Sequence, residues 1–168
     1  MSSQCIVVNS SAVIALAKIN LLDIIADLYK WVIIPSAVYE EVAVRGRGKP
    51  GSRELENLVR QNRARLHAPR HRAFVEALHD PLGLGEAEAI ALALEQNYIV
   101  ALDDRIARSK ARSIGLKVIG TVGLLRRAYD KRLIDKNMLI QALKQLRRHG
   151  FRISDDIICE VTERLDDE

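Results

Sequence analysis

The chain has few aromatic residues, few cysteines and no long apolar run, and each shortage limits the classes of protein to which it can belong. Aromatic residues make up 4% of the 168 residues, so the core must be built from Ile, Leu, Val and Ala, as in helices packed on a parallel sheet. Cys5 and Cys159 lie near opposite ends, in an apolar and an amphipathic stretch, which favours reduced, buried thiols over a disulfide. No stretch approaches the roughly 18 apolar residues that span a bilayer, and the N-terminus lacks the basic region of a signal peptide. We therefore expect a cytoplasmic protein without a membrane partner.

Two common kinds of cofactor site are also missing. The fragment Gly83-Leu84-Gly85 lacks both a third glycine and an acidic ribose partner, and no GxxxxGK[ST] loop occurs. His67 and His71 have the helical spacing of two metal ligands, but Pro69 lies between them and would disrupt the helix. We therefore expect neither a nucleotide cofactor nor a histidine metal site.

Positive charge is concentrated in one segment of the chain. Residues 45–72 carry nine Lys or Arg residues and two acids, a net charge of +7, although the whole chain has a net charge of only +4. Such a segment attracts phosphate backbones, but a solvated helix and loop explains it equally well. Gly and Pro residues within 46–51 predict that part of the segment is a loop.

Short apolar runs alternate with helical patterns along the chain. Four runs have the length and composition of buried strands: CIVV (5–8), WVIIP (31–35), YIVAL (98–102) and KVIG (117–120). Helical segments follow them, and the tail contains two amphipathic helices around 137–150 and 154–165. The alternation predicts βαβ units, hence a parallel sheet with helices on both faces. We expect one domain over residues 1–168, with its core at roughly 4–130 and a helical extension at roughly 133–168.

Polar residues follow the ends of two predicted strands. Asn9 comes directly after the first strand, and Asp103 and Asp104 come directly after the third. Ligands of parallel α/β sheets bind outside the carboxyl ends of the strands, so these side chains can meet at one crevice.

Two pairs of glutamates lie on predicted helices. Glu40 and Glu41 occur about one turn after Ser36, and Glu86 and Glu88 occur in the first turn of the next acidic helix. A solvated helix face explains the first pair, and a favourable interaction with the helix dipole explains the second, about as well as a site does.

Taken together, these pieces resemble the PIN-domain nucleases, in particular the branch related to VapC toxins. The matching pieces are IVVNSSAVIALAKINLLD, VIIPSAVYEEV, GLGEAEAIALALE, VALDDRIAR and GLKVIGTVGLLRRA, which occur in order and cover residues 5 to about 128. The resemblance implies a three-layer α/β/α fold with a central, mostly parallel sheet, and an acidic cluster that binds Mg²⁺ or Mn²⁺. It further implies an RNA-cleaving toxin of a toxin–antitoxin pair, which forms a homodimer and is held inactive by a small antitoxin protein.

The resemblance selects particular acids as the catalytic, metal-binding residues. They are Glu41, Glu86 and Asp104, while Glu40, Glu88 and Asp103 stay open as substitutes, Asp103 as a metal ligand in particular. Asn9 completes the predicted catalytic set. Most PIN nucleases place their first metal-binding Asp at this position, and the Asn9 amide offers an oxygen but no charge. The remaining acids still suffice for Mg²⁺, which is normally held by one or two carboxylates and several waters.

Arginines are the natural contacts for an RNA backbone, because they bind phosphate bidentately and remain protonated. Arg105 and Arg108 lie beside Asp104, and Arg45 and Arg47 lie in the basic loop. The few aromatic residues indicate no base-stacking platform. Amphipathic helices at 10–28 and 135–148 offer dimer interfaces, although core packing explains their apolar faces as well.

An alternative function follows from the missing first acid. A PIN-like module that has lost its metal would bind nucleic acid or a protein partner without cutting it. Ser10 or Ser11 would orient the metal, its water or a phosphate in the enzyme, but helix capping explains a serine at these positions equally well.

Overall fold

Five parallel strands form the centre of the structure, a computed structural model that describes residues 4–163. In chain order the strands are β1 (Cys5–Val8), β2 (Trp31–Pro35), β3 (Arg65–His67), β4 (Ile99–Ala101) and β5 (Val118–Ile119). Their order across the sheet is β3-β2-β1-β4-β5, and every neighbouring pair is parallel. The register pairs Ile6 with Val32 on one side and with Ile99 on the other.

Helices connect the strands, and within residues 4–163 every regular element after β5 is a helix. They are α1 (Ser10–Lys18), α2 (Asp23–Leu28), α3 (Ser36–Tyr39), α4 (Ser52–Arg60), α5 (Arg72–His79), α6 (Leu84–Gln96), α7 (Arg105–Ser113), α8 (Thr121–Asp130), α9 (Lys136–Arg148) and α10 (Asp155–Glu163). Helix α3 continues directly into a π-helical turn, Glu40–Val44.

The sheet separates two hydrophobic layers because successive residues of a strand point to opposite faces. Ile6 and Val8 pack in one layer with residues of α1, α2, α8 and α9, whereas Val7 packs in the other with residues of α5, α6 and α7. Burial of β1 on both faces explains its uninterrupted apolar sequence. The fold is therefore the expected three-layer α/β/α arrangement, and its sheet is entirely parallel.

The four predicted strands are present, although β4 and β5 are shorter than their apolar runs. The fifth strand, β3, was not predicted, because its three residues are all exposed and form no apolar run. Cys5 is buried as expected, but Cys159 is exposed on α10, so the expectation of a buried thiol is wrong there. Residues 164 and 165, the end of the predicted last helix, lie outside the described residues.

The amphipathic helices considered as dimer interfaces direct their apolar faces into the core. Leu16 of α1 and Leu139 and Leu143 of α9 are fully buried there. Within residues 4–163, no helix has the length and apolar character required to cross a bilayer.

The strand order brings together segments that are far apart in sequence. From β1 the chain builds outward through β2 and β3, then crosses back to place β4 on the other side of β1. The connections leave β1 and β4 in opposite directions, which opens a crevice at the carboxyl ends of these two strands. Asn9 and the pair Asp103 and Asp104 lie at this crevice.

Candidate active site

A cleft of about 530 Å³ opens beside the carboxyl end of β1. Its walls come from the start of α1, the π-helical turn and the first turn of α6. The polar side chains in the wall are those of Asn9, Ser10, Ser11, Glu41, Arg45 and Glu86. The cleft thus contains two of the three predicted acids together with one arginine.

The Asn-Ser-Ser turn after β1 organises the acids by hydrogen bonds. Ser10 Oγ donates to Glu41 Oε2 at 2.8 Å, across 31 residues of sequence. Ser11 Oγ donates to Asp103 Oδ2 at 3.4 Å, which is a longer and weaker contact. The two hydroxyls therefore connect the start of α1 to an acid on each side.

The side-chain oxygen of Asn9 caps helix α1. Its Oδ1 accepts from Ser11 N–H at 3.2 Å, the usual N-cap contact, so its Nδ2 must face the other way. Asn9 is only 3% exposed, and its Nδ2 makes no close hydrogen bond among residues 4–163, although it lies near enough to Glu86 to lower the pKa of that carboxyl. Asn9 therefore presents a buried, unpaired donor to the site, whereas a metal ligand would present an oxygen.

Glu41 reaches the cleft from the π-helical turn. A π-helical turn inserts an extra residue into a helix, and such insertions are frequent at functional sites because they redirect a side chain. Gly85 of α6 packs closely here: a Cβ at Gly85 would lie 3.4 Å from Glu41 Oε2 and 3.2 Å from a methyl group of Val38. The neighbouring Glu40 is exposed and does not line the cleft, so Glu41 is the better placed of the pair.

Glu86 faces the cleft from the first turn of α6. One oxygen accepts from the Gly83 N–H at 3.3 Å and so caps the helix. Burial raises the pKa of Glu86, and the negative charges of Asp104 and Glu41 raise it further, against the opposing effects of Gly83 and the Asn9 amide. Glu86 thus lies close enough to Asp104 and Glu41 for their negative charges to disfavour its ionised form.

Glu88, considered as a substitute for Glu86, lies outside the cleft. Its side chain is 4% exposed and forms a 2.7 Å ion pair with Arg72. Its second oxygen accepts from the Ala37 N–H at 2.8 Å, near the start of α3. Glu88 thereby ties α6 to the helix that leads to Glu41, and both of its oxygens are already occupied.

The two aspartates after β4 differ in what they bond. Asp103 accepts from Thr121 N–H at 2.8 Å and from Thr121 Oγ1 at 2.6 Å, in addition to Ser11. Asp104 uses one oxygen to cap α7 through the Ala107 N–H at 2.9 Å and is otherwise exposed. Asp103 is thus held among structural donors, whereas Asp104 keeps an oxygen for a ligand. Thr121 was not predicted as the partner of Asp103, because no sequence pattern connects the two residues.

The predicted RNA-contacting arginines lie at two different places. Arg45 lines the acidic cleft, and Arg47 is exposed in the following turn without lining it. Arg105 and Arg108 line a separate, neighbouring cavity, where Arg108 Nη1 donates to Leu102 O at 3.0 Å. The four predicted arginines therefore do not form one cluster.

The acids fit a divalent cation by their chemistry. Among residues 4–163, no three His, Cys, Asp or Glu side chains form a ready-made metal site. Glu41, Glu86 and Asp104 nevertheless influence one another electrostatically, and each keeps one carboxylate oxygen outside the hydrogen bonds described above. Mg²⁺ needs only one or two direct carboxylates and retains several waters, so these three residues would hold it.

Comparison with known proteins identifies the same family as the sequence motifs. A family model described as a PIN domain matches residues 5–167. No curated protein matches the chain. The match extends through both tail helices, beyond the residues that carried the sequence resemblance.

Proposed function

Because this chain belongs to the PIN-domain family, whose members are generally nucleases, we propose that it is a metal-dependent ribonuclease with its active site in the acidic cleft. The observation that carries the proposal is the grouping of Glu41 and Glu86 in the cleft, with Asp104 near enough for its charge to raise the pKa of Glu86. A carboxylate whose pKa is raised by neighbouring negative charges is typical of a functional site, because a bound cation would offset the repulsion.

The reaction is the hydrolysis of a phosphodiester bond. Glu41, Glu86 and Asp104 would hold Mg²⁺ or Mn²⁺, which would supply a Lewis acid for the phosphate and lower the pKa of the attacking water. The water oxygen bonds to phosphorus, the bond from phosphorus to the leaving ribose oxygen breaks, and a proton ends on that oxygen. Glu86 lines the cleft and would accept the proton of the attacking water on a carboxylate oxygen that the cation leaves open.

The other residues of the cleft position the acids and the substrate. Ser10 holds the Glu41 carboxylate by its 2.8 Å hydrogen bond. Arg45 lines the same cleft and would bind a phosphate oxygen of the RNA. Arg47 would contact the RNA strand farther from the cleft. Arg105 and Arg108 would contact the RNA on the other side of Asp103.

The resemblance to VapC-type toxins supports a more specific role. We propose a cytoplasmic toxin that forms a homodimer and is inhibited by a small antitoxin protein. Regulated expression should arrest bacterial growth, and the arrest should disappear with Asp104→Asn. Unimpaired growth with soluble wild-type protein would contradict the toxin role.

Cleavage of RNA by the purified protein tests the nuclease. We expect structured and single-stranded RNAs to be cut with Mg²⁺ or Mn²⁺ and to stay intact with EDTA. Glu86→Gln and Asp104→Asn should each slow cleavage by more than about 100-fold, because each removes charge worth several kcal/mol to the transition state. Glu40→Gln is the matched control next to Glu41→Gln and should cut normally. Normal cleavage by both active-site variants would contradict the proposal.

A second function is favoured by one observation, the amide of Asn9 in place of a carboxylate. In a non-catalytic module, the cleft would bind RNA or a protein partner without cutting. Asn9→Asp would then raise the affinity for Mn²⁺ and create cleavage that the natural chain lacks. Cleavage by the natural protein, little changed by Asn9→Asp, would exclude the module.

A further inference from the structure

A second cavity, of about 960 Å³, lies beside the acidic cleft between α7, β5 and the segment after α9. We call it the arginine groove and define it by Arg105, Arg108, Arg112, Phe151 and Arg152, which line it together with Asp103. The two cavities meet at one contact, because Ser11 lines the cleft and donates to Asp103 in the groove.

The groove is positive, because four arginines line it and Asp103 is the one carboxylate among its lining residues. Arg105, Arg112 and Arg152 are exposed, and within residues 4–163 their side chains form no ion pair or hydrogen bond. The carboxylate of Asp103 is already bonded to Thr121 and Ser11. Free guanidinium groups at one cavity fit a polyanion, whose phosphates they bind bidentately.

Helix α7 arranges three of the arginines as a stripe. Arg105, Arg108 and Arg112 have the spacing i, i+3 and i+7, so they share one helix face over about 10 Å. Lys110 lies on the opposite face of the helix and does not line the groove. The charge is therefore directed to one side of the helix.

The segment after α9 brings an aromatic ring to the stripe. Ile153 is buried in the core, and Arg147 holds its carbonyl by two hydrogen bonds, at 3.1 and 2.8 Å. This anchor places half-buried Phe151 in the groove wall and leaves Arg152 between them exposed. A flat apolar ring among cations is the combination that binds single-stranded nucleic acid, by base stacking and phosphate contacts.

We propose that the arginine groove binds the single-stranded RNA on one side of the scissile phosphate, with a base against Phe151 and phosphates on the arginines. The assignment rests on the nuclease function, since the groove continues from the cleft where the phosphodiester would be cut. An acidic peptide would satisfy the arginines but would leave the aromatic ring without a matching group.

Fluorescence anisotropy in EDTA tests the groove separately from cleavage. The probe is a labelled single-stranded RNA of about 12 nucleotides. Arg112→Ala and Arg152→Ala should each weaken binding about tenfold and reduce the slope of log affinity against log salt by about 1. Phe151→Leu should weaken binding about 5- to 100-fold without changing the slope, because it removes stacking but no charge. Lys110→Ala, on the same helix, is the matched control and should bind nearly as the natural protein does.

Several results would overturn the groove assignment. They are wild-type affinity in both arginine variants, an equal loss in Lys110→Ala, and displacement of the RNA by polyglutamate at equal charge concentration. Because Arg152 is exposed, its variant stays informative even if Phe151→Leu folds poorly. Groove-dependent binding without cleavage would contradict only the nuclease, whereas cleavage with unaffected groove variants would contradict only the groove.

Discussion

Ser10 and Glu41 are joined by a 2.8 Å hydrogen bond that connects the first turn of α1 to the π-helical turn. The bond holds one oxygen of Glu41 and leaves the other to face the cleft. Glu41 is exposed, so little else restrains its rotation. The orientation of this acid therefore depends on a hydroxyl from a different segment of the chain.

Ser10→Ala should reduce RNA cleavage and Mn²⁺ affinity by about 10- to 100-fold, as expected when a group that orients a metal-binding carboxylate is lost. The free energy of unfolding should fall by only about 0.5–1.5 kcal/mol, the usual value of one hydrogen bond. Cleavage assays, Mn²⁺ titration and urea unfolding measure these effects. Ser11→Ala, which loses a 3.4 Å contact, should have a smaller effect on Mn²⁺ affinity. An equal loss in both variants would refute a specific role for Ser10.

Asn9→Asp should destabilise the metal-free protein and make its stability more dependent on metal. The new carboxylate would keep the cap to Ser11 but place a buried negative charge against Glu86. In EDTA we expect the Tm to fall by several degrees, since about 1 kcal/mol corresponds to 2–4 °C in a chain of this size. Mn²⁺ should then raise the Tm more than it does in the natural protein. Asn9→Ser, which keeps a capping oxygen without adding charge, is the control.

These Tm measurements test whether the Nδ2 of Asn9, which makes no close hydrogen bond, faces the carboxylates of the cleft. If Asn9→Asp is as stable as the natural protein in EDTA, the amide does not face the carboxylates. A larger Mn²⁺ effect in Asn9→Ser than in Asn9→Asp would likewise contradict the described orientation.

Glu86→Gln should stabilise the metal-free protein, and the gain should depend on pH. The raised pKa means that the folded state holds its proton more tightly than the unfolded state, so the wild-type stability falls as pH rises above the ordinary value of 4.5 and through the folded pKa. Below that window Glu86 is protonated in both states and the penalty is absent. Urea midpoints in EDTA should therefore coincide near pH 4 and favour Glu86→Gln near pH 7. A gain that is the same at both pH values would exclude this origin.

Glu88→Ala should lower the free energy of unfolding and leave the affinity for Mn²⁺ unchanged. The substitution leaves the buried Ala37 N–H without a partner and removes the ion pair to half-exposed Arg72. Because solvent screens the ion pair, most of the expected loss of about 1–3 kcal/mol comes from the unsatisfied N–H. Urea unfolding measures the loss, and Glu88→Gln, which keeps an acceptor oxygen, should lose less. A large drop in Mn²⁺ affinity in folded Glu88→Gln would place Glu88 in the metal site after all.

Much of the fold could be predicted because buried strands and helix caps have local signatures. The runs at 5–8 and 31–35 are apolar on both faces, and Asn9 and Asp104 cap the helices that follow β1 and β4. Strand β3 could not be predicted, because its residues are exposed and its pairing with β2 is a tertiary property. The π-helical turn has no clear signature in EEVAV either, since its stability depends on packing.

The site could be predicted in its residue types but not in its contacts. Glu86 and Glu88 differ by two positions on one helix, so their side chains point in different directions, and only packing shows which one meets the cleft. Which atom of the Asn9 amide faces the cleft depends on the hydrogen bond from Ser11 N–H to Asn9 Oδ1. The position of Phe151 beside the arginines of α7 could not be predicted, because Phe151 lies 39 positions after Arg112 in the sequence and no periodicity connects the two residues.

The crossing of the chain from β3 back to β4 has a consequence for protein synthesis. Asn9, Glu41 and Glu86 are translated before β4 exists, and Asp104 joins them only when β4 pairs with β1, through contacts such as Ile6 with Ile99. A growing chain therefore contains Glu41 and Glu86 before Asp104 can join them. If the protein cuts RNA, the ribosome and message that produce it are exposed to the nuclease only after most of the chain has been made.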